Sequence, residues 1–287
     1  MYFERRQRII IWAVSLSVAA ALFLLLPMQG AYNPAKPYLI PLSQRVNNGF
    51  AFALLVALSI PAVVEFNNMR WLRGVDANIP RLLKDVGETV KSGVPLLRAL
   101  EEAAARDYGP VSKPLQAAVV RFKLTSDLEA SLSWMGERLV RPAAKRMARV
   151  LVEAYETGGR VVDVLDTSAS LFTDLAEYRD ERDAEMRPYV LIAYLGSAVF
   201  LAVSWVILVR FLGPLSASSS NPAVAQGGLL NNLLDMDYYR SILFWAATME
   251  ALIGGLVAGK IRYGRLNAGL VHSALLVAMT IAVFNAF

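Results

Sequence analysis

The stretch EYRDERDAEMRPYVLIAYLGSAVF, which runs from Glu177 to Phe200, decides the fold of this chain. Its first half is almost all charged, its second half is almost all apolar, and Pro188 marks the seam. No Gly/Ser-rich linker separates the two halves. At about 1.5 Å of rise per residue, the apolar run Tyr189–Leu212 would extend about 36 Å, enough to cross a bilayer with some tilt. The sequence therefore predicts a charged helix that leads directly into a membrane-spanning helix.

The composition is that of a membrane protein with a soluble part. Of the 287 residues, 56% are hydrophobic and 18% are charged, whereas soluble domains average roughly 45–50% and 25%. Most of the charge lies in a central block, about Asn67 to Arg187. Cysteine is absent, which excludes disulfides and thiol catalysis. The excess positive charge lies in short segments beside apolar runs, so we expect it to orient the chain in a membrane rather than bind nucleic acid.

Five apolar segments are long enough, or nearly so, to cross a bilayer, which needs roughly 20 residues. They are Ile9–Leu26, Phe50–Phe66, Tyr189–Leu212, Ile242–Ala258 and Ala268–Phe287. The basic segments ERRQR (4–8) and KIRYGR (260–265) favour the cytoplasmic side of the cell membrane. The N-terminus and the central block are therefore predicted to be cytoplasmic and the C-terminus to be outside. The first segment is longer than a signal-peptide core, so an uncleaved anchor is the expectation.

The central block is predicted to be helical. Its apolar residues recur at helical spacing, without an alternating strand pattern, and breakers divide it at 92–95, 108–110, 125–127, 141–142 and 157–159. We predict an all-α polytopic membrane protein with a cytoplasmic six-helix bundle inserted between spans 2 and 3. The predicted parts are 1–66 (N-terminus and spans 1 and 2), 67–187 (bundle), 188–212 (span 3), 213–240 (external loop) and 241–287 (spans 4 and 5, with a basic cytoplasmic loop at 260–267).

Two stretches of the block resemble each other. ETVKSGVPLLRAL starts at Glu88 and EAYETGGRVVDVL starts at Glu153, and both have Ser or Thr before Gly, then an apolar pair and a final Leu. A duplicated helical half-domain and a chance likeness of two helix–Gly–helix corners are equally compatible with the sequence.

The sequence offers no catalytic constellation. Its one histidine, His272, lies in the last apolar segment without a cluster of other ligands, so neither a metal site nor a cofactor is predicted. The stretch GGLVAGKI at 254–261 matches most of a P-loop, but Ile261 replaces the required Ser or Thr and no strand precedes it. We instead predict that Gly255 and Gly259 form a close contact between membrane helices.

Glu250 is the strongest polar candidate inside an apolar segment. An ionisable group at mid-span costs roughly 2.5–3.5 kcal/mol on insertion scales, so its carboxyl must face protein or water. An interhelical hydrogen bond is the favoured interpretation, and a proton relay or a contact to a partner is the alternative. His272 is an imperfect partner for it, since it should lie closer to the cytoplasm.

Three stretches resemble the type II secretion F-domain family, above all its archaeal branch, the membrane platform proteins of type IV pili and the archaellum. They are LVEAYETGGRVVDVLDTSASLF (151–172), ERDAEMRPYVLIAYLGSAVFLAVSW (181–205) and LVAGKIRYGRLNAGLVHSAL (256–275). The resemblance rests on the Glu153–Gly158–Gly159 corner, on Met186–Tyr189, and on Ala258–Lys260 followed by Gly269, Leu270 and His272. It covers roughly Ile79 to the C-terminus, and the combination is specific although no single piece is.

The resemblance implies a membrane platform protein that is not an enzyme. Its partners would be a cytoplasmic hexameric secretion ATPase and pilin subunits, which would be lifted from the lipid bilayer into a filament. Archaellum platforms typically have two copies of the cytoplasmic domain, and this chain has one. In size it is similar to the single-domain members of tight-adherence systems, so a second copy or a paralogue is an expected partner.

Charged residues of the block and the basic loop are the candidate contacts for the ATPase, because hexameric ATPases can offer complementary charge. The candidates are Glu153, Gly158, Gly159, Arg160, Arg179, Arg182, Lys260, Arg262 and Arg265. For each of them, ordinary solvation or topology-setting is the alternative. Arg187, Pro188 and Tyr189 would couple the charged helix to the membrane. A transporter or channel and a membrane-anchored signalling adaptor are the competing functions, although a large soluble domain within five spans fits a transporter poorly.

Overall fold

The computed structural model of the protein describes residues 2–26, 40–158, 160–214 and 236–286. All regular structure in these ranges is helical, so the all-α prediction is confirmed. The chain forms two compact units, one of Met1–Tyr2 with Asn67–Ala184 and one of Phe3–Phe66 with Glu185–Phe287.

Ten α-helices account for most of the described residues. They are α1 (Arg5–Leu24), α2 (Gln44–Lys91), α3 (Leu96–Ala104), α4 (Ser112–Thr125), α5 (Leu128–Arg138), α6 (Pro142–Thr157), α7 (Val161–Glu185), α8 (Arg187–Trp205), α9 (Met236–Tyr263) and α10 (Leu270–Asn285). Short 3₁₀ helices precede α4 and α10, at Gly109–Val111 and Leu266–Gly269, and a π-helical segment, Val206–Leu212, follows α8.

The first unit packs the second half of α2 and the helices α3 to α7 around one apolar core. The largest side chains of this core are fully buried, and they include Ile79, Leu82, Leu115, Leu132, Met135 and Leu151. Burial of each such side chain contributes roughly 1.5–3 kcal/mol, so this core is the main source of the unit's stability.

The helices of the first unit end at the predicted breakers. α2 ends before Ser92, and Gly93 adopts φ +96°, which favours glycine. Asp127, in the predicted breaker at 125–127, caps α5 by accepting a hydrogen bond from the Ala130 N–H at 2.8 Å. Pro142 lies in the first turn of α6, where a missing N–H costs nothing.

A buried tyrosine fixes the turn between α3 and α4 to α2. The Tyr108 side chain is inaccessible to solvent, and its hydroxyl donates to Asp85 Oδ2 at 2.8 Å. Burial, followed by the hydrogen bond to Asp85, raises the pKa of Tyr108 to about 12. The adjacent Asp107 accepts hydrogen bonds from the Gly109 N–H and the Ser112 hydroxyl, which hold the pKa of its carboxyl below the usual range. The turn is thus held by polar contacts within an apolar unit.

Five helical runs are long and apolar enough to cross a membrane, as the sequence predicts. They lie in Arg5–Leu24, Gln44–Lys91, Val161–Leu212, Met236–Tyr263 and Leu266–Asn285. The fourth run extends beyond its predicted bounds at both ends. Met236–Arg240, assigned to the loop 213–240, is helical, and so is Lys260–Tyr263, assigned to the basic loop at 260–267.

Glycines bring α9 and α10 into close contact, as predicted. A Cβ atom on Gly255 would overlap the backbone of Ser273, and one on Gly259 would overlap the backbone of Gly269. The Ser273 hydroxyl donates to the Leu252 carbonyl at 2.8 Å across the same seam. Residues 254–261 are helical throughout, so the P-loop match has no phosphate-binding loop.

Candidate functional site

The charged half of α7 carries two predicted contact residues, and the structure gives them different surroundings. Arg179 lies beside Asp76 of α2, with 3.5 Å between Nη1 and Oδ2. Asp76 also accepts a hydrogen bond at 3.0 Å from Nε of Arg141, the residue before α6, whose Nη2 contacts the second carboxylate oxygen. Because the Asp76 side chain is only 11% exposed, losing its cationic partners would leave a nearly buried charge unpaired. Arg179 thus contributes to packing within the first unit.

Arg182 is exposed on the same helix. Within the described part of the chain, no ion pair or hydrogen bond joins its side chain to another residue. Its neighbour Asp183 pairs with Arg73 of α2 at 3.2 Å, which ties α7 to α2 a second time. The part of the charged helix that is open to a partner therefore includes Arg182 and the 66% exposed Tyr178.

The corner between α6 and α7 holds four more candidates. Glu153 is exposed near the end of α6, and Gly158 ends that helix with φ +61°. Gly159 lies outside the described residues. Arg160 is 79% exposed and lies 3.7 Å from Asp163, an exposed pair of the kind that contributes little to stability. Its guanidinium can therefore exchange Asp163 for a partner's carboxylate at small cost.

The two similar corners of the sequence line one open groove of about 370 Å³ in the first unit. Both corners turn at a glycine with positive φ, +96° at Gly93 and +61° at Gly158. Equivalent positions of the two stretches line this groove, namely Val90 and Tyr155, Gly93 and Gly158, and Leu96 and Val161.

The backbone stays helical where the charged stretch meets the apolar one. α7 ends at Glu185 and α8 begins at Arg187, so only Met186 separates them, and its angles are helical (φ −82°, ψ −11°). Pro188 occupies the first turn of α8, where proline is tolerated. Tyr189 is 53% exposed. No flexible linker lies between the two helices.

The basic candidates near the end of α9 belong to the second unit. Lys260 and Arg262 lie in the last turn of the helix, where cations interact favourably with the helix dipole. The Arg262 guanidinium lies 5.0 Å from the centroid of the Tyr263 ring. Gly264, with φ +68°, and Arg265 form the short connection that follows. Residues 260–263 of the basic segment are thus helical, and only 264–265 belong to the connection.

Glu250 and His272 have different partners. Glu250 Oε1 accepts a weak hydrogen bond from the Ser197 hydroxyl of α8 at 3.5 Å, longer than the usual range of about 2.5–3.0 Å. His272 Nδ1 lies 2.9 Å from the Tyr194 hydroxyl, and its ring stacks on that of Tyr263. No group of three metal-ligating side chains occurs among the described residues.

The helical first unit and the five apolar helical runs define a multi-pass membrane protein. Residues 82–209 match the model of the family described as type II secretion system (T2SS), protein F. This match spans most of the first unit and most of the third apolar run. Proteins of this family are membrane platforms rather than known enzymes.

One curated relative is an uncharacterized protein of Methanocaldococcus jannaschii. It is 26% identical over 211 residues, which amount to 72% of this chain and 33% of the relative. The chain thus spans about a third of the length of the curated relative that it matches. No solved structure matches the chain.

Sequence reasoning missed the residues that hold the first unit together. Asp76 and Arg141 are 65 positions apart, and Tyr108 and Asp85 are 23 apart. Neither pair has a helical i,i+4 spacing that would predict contact. One sequence feature could have indicated a buried ion pair, namely an acidic residue at a core-facing helical position. Asp76 directly follows buried Val75 and lies three residues before buried Ile79.

Proposed function

We propose that this chain is an integral membrane platform of a type IV filament or secretion machine. In this role it couples a cytoplasmic hexameric ATPase to the extraction of pilin subunits from the bilayer and to their assembly. The observation that carries the proposal is the family match over residues 82–209, which includes most of the helical unit and most of the apolar run after it. A second copy or a paralogue of the chain is the remaining expected protein partner.

The described surface supports a docking contact through α7. Arg182 and Arg160 are exposed cations whose side chains have no strong partner in the described structure. Arg179 is a poorer contact, because it already neutralises Asp76. Partner recognition at exposed charges affects association rate and specificity more than raw affinity. We therefore place the ATPase contact on Arg182 and Arg160.

Co-purification in detergent with the hexameric secretion ATPase of the same organism, with nucleotide present, tests the proposal. Wild-type chain should capture the ATPase, and Arg182→Glu should weaken capture. Arg149→Glu is the matched control, since Arg149 is an exposed arginine of α6 in the same unit. Equal capture by both variants would move the contact away from α7. No capture by the wild type would oppose the platform function itself.

The orientation is also a proposal, with the first unit and the N-terminus in the cytoplasm and the C-terminus outside. The chain has no native cysteine, so introduced cysteines report topology without background. A labelling position must be exposed, as Lys145 is on α6, because a cysteine at a buried position such as Leu100 would not react. A cysteine at Lys145 should label only after permeabilisation, and labelling of intact cells would reverse the orientation. External positions such as Lys36 and Ser219 lie outside the described residues.

The junction of α7 and α8 is proposed to transmit force. Only Met186 separates the two helices, so a displacement of α7 passes along a helical backbone. Four Gly/Ser residues inserted between Arg187 and Pro188 should abolish filament assembly and leave membrane insertion intact. Four alanines form the matched insertion, because each alanine favours helix over glycine by about 1 kcal/mol. Filaments with the Gly/Ser insertion would contradict a mechanical role.

A further inference from the structure

Glu250 lies at the edge of the outward-facing surface formed by α8 and α9. Its neighbours on α9, Met249 and Ile253, are 54% and 59% exposed, and Gly196 of α8 is exposed as well. A Cβ on Gly196 would lie 3.9 Å from Glu250 Oε1, so the carboxyl rests beside a gap in the side-chain layer. Since both helices are apolar enough to span a bilayer, this gap opens towards lipid.

The carboxyl is under-satisfied by its own chain. In the described structure its one hydrogen-bond partner is the Ser197 hydroxyl at 3.5 Å. A carboxyl group has two oxygens and, when neutral, a proton to donate. Hydrocarbon offers no alternative partner, and each unsatisfied polar group there costs several kcal/mol. An intramembrane ionisable residue in this state points to a contact with another polar group.

The face that carries Glu250 permits a close approach. Ala246 and Gly254 lie one turn before and one turn after Glu250, so the three form a line along α9. A Cβ on Gly254 would have no heavy atom within 4 Å, in contrast to Gly255 and Gly259, which pack against the α10 segment. Packing within this chain therefore does not account for a glycine at 254, although glycine weakens a helix by roughly 0.5–1 kcal/mol relative to alanine.

We infer that this face is the contact between two copies of the chain, with the Glu250 carboxyls of the two copies hydrogen-bonded to each other. A neutral carboxyl is donor and acceptor at once, so two of them satisfy each other without a third group. Two copies with the same orientation, related by a two-fold axis along the bilayer normal, hold Glu250 at the same depth. A different partner would have to supply its own polar group at that depth. Gly196 and Gly254 leave the room that such a pair of helices needs.

This contact rests on the proposed function for its second-copy partner, but it requires neither ATPase nor pilin. If the dimer contact is not found in the assay below, the outcome of the ATPase capture is unaffected. A loss of ATPase capture would equally leave the dimer intact.

Cysteine cross-linking of the full chain in lipid vesicles tests the inference. Met249→Cys and Ile253→Cys should form disulfide-linked dimers on oxidation, because they flank the two-fold axis. Leu275→Cys on α10 is the matched control, since Leu275 is 56% exposed and should cross-link only by random collision. Cross-linking at Met249 no stronger than at Leu275 would overturn the inference. So would specific cross-linking of Met249→Cys to a different membrane protein.

Substitutions at this face distinguish association through the carboxyl from non-specific association of apolar helices. Glu250→Leu should raise the dimer dissociation constant by roughly threefold to twentyfold per hydrogen bond lost. Glu250→Gln keeps a donor and an acceptor and should retain most of the association, which also controls for folding. Gly254→Leu should weaken the dimer, whereas Ala202→Leu, a similar enlargement at an exposed position of α8, should not. Equal association of Glu250→Leu and wild type would refute the carboxyl pair.

Discussion

Gly259 should be one of the positions of the second unit least tolerant of a larger side chain. Its α-carbon lies where α9 meets the helix start of α10, and a Cβ there would overlap the backbone of Gly269 and lie 2.7 Å from the Ala268 carbonyl carbon. Contacts of carbon atoms relax to about 3.5–4.0 Å, so Gly259→Ala would force the two backbones apart by at least about 1 Å, and by more at Gly269. The obstacle is backbone rather than a flexible side chain, so no rotamer change relieves it.

Overpacking of this kind typically costs about 1–3 kcal/mol. For a protein of this size, that cost corresponds to an apparent Tm lower by about 2–12 °C. Thermal unfolding in excess detergent, followed by circular dichroism, measures the shift. Gly254→Ala is the matched control, because its Cβ meets nothing and alanine favours the helix. Equal stability of both variants would refute the close helix contact at Gly259.

Three further changes test the first unit. Asp76→Asn should lower the free energy of unfolding by about 1–3 kcal/mol, because Arg141 and Arg179 lose their shared carboxylate; thermal unfolding measures it, and a neutral result would mean that solvent screens both pairs. Tyr108→Phe should lower the free energy of unfolding by about 1 kcal/mol in the same assay, since it leaves Asp85 without its 2.8 Å donor. A variant as stable as the wild type would contradict a stabilising role for this hydrogen bond. The lowered pKa of Asp107 stabilises the fold above the ordinary carboxyl range, and this contribution is lost as pH falls through the lowered folded pKa. Asp107→Asn should therefore reduce the loss of stability at low pH. An unchanged dependence of stability on pH would mean that other carboxyls cause this loss.

The helix pattern was predictable because each boundary has a local cause. The segments at Gly93, Asp127 and Pro142 act through backbone conformation, capping and a missing N–H, and each of these effects depends on a few adjacent residues. The apolar runs were equally readable, because bilayer thickness fixes their length. Their ends were less certain, since lipid-facing helices continue into polar residues. Lys260–Tyr263, which was predicted to be a loop, is therefore the last turn of α9.

Side-chain partners were not predictable, because they join residues that are far apart in the sequence. Asp76 and Arg141 are separated by three helices, and only the packing of the bundle brings them together. The surroundings of Glu250 could also be known only from the structure. The sequence placed this residue in an apolar segment, but the exposed Gly196 beside it belongs to another helix.

The charged half of α7 illustrates why a residue's type does not assign its role. Arg179 and Arg182 are three positions apart on one helix, so sequence reasoning treats them as equivalent contacts. Arg179 lies beside an acidic side chain that is 11% exposed, where its charge is needed within the chain. Arg182 is exposed and its charge is available to others. The charge of α7 is thus divided between holding the helix to α2 and presenting a surface. A change at Arg179 would weaken both, whereas a change at Arg182 tests docking without disturbing the packing of α7.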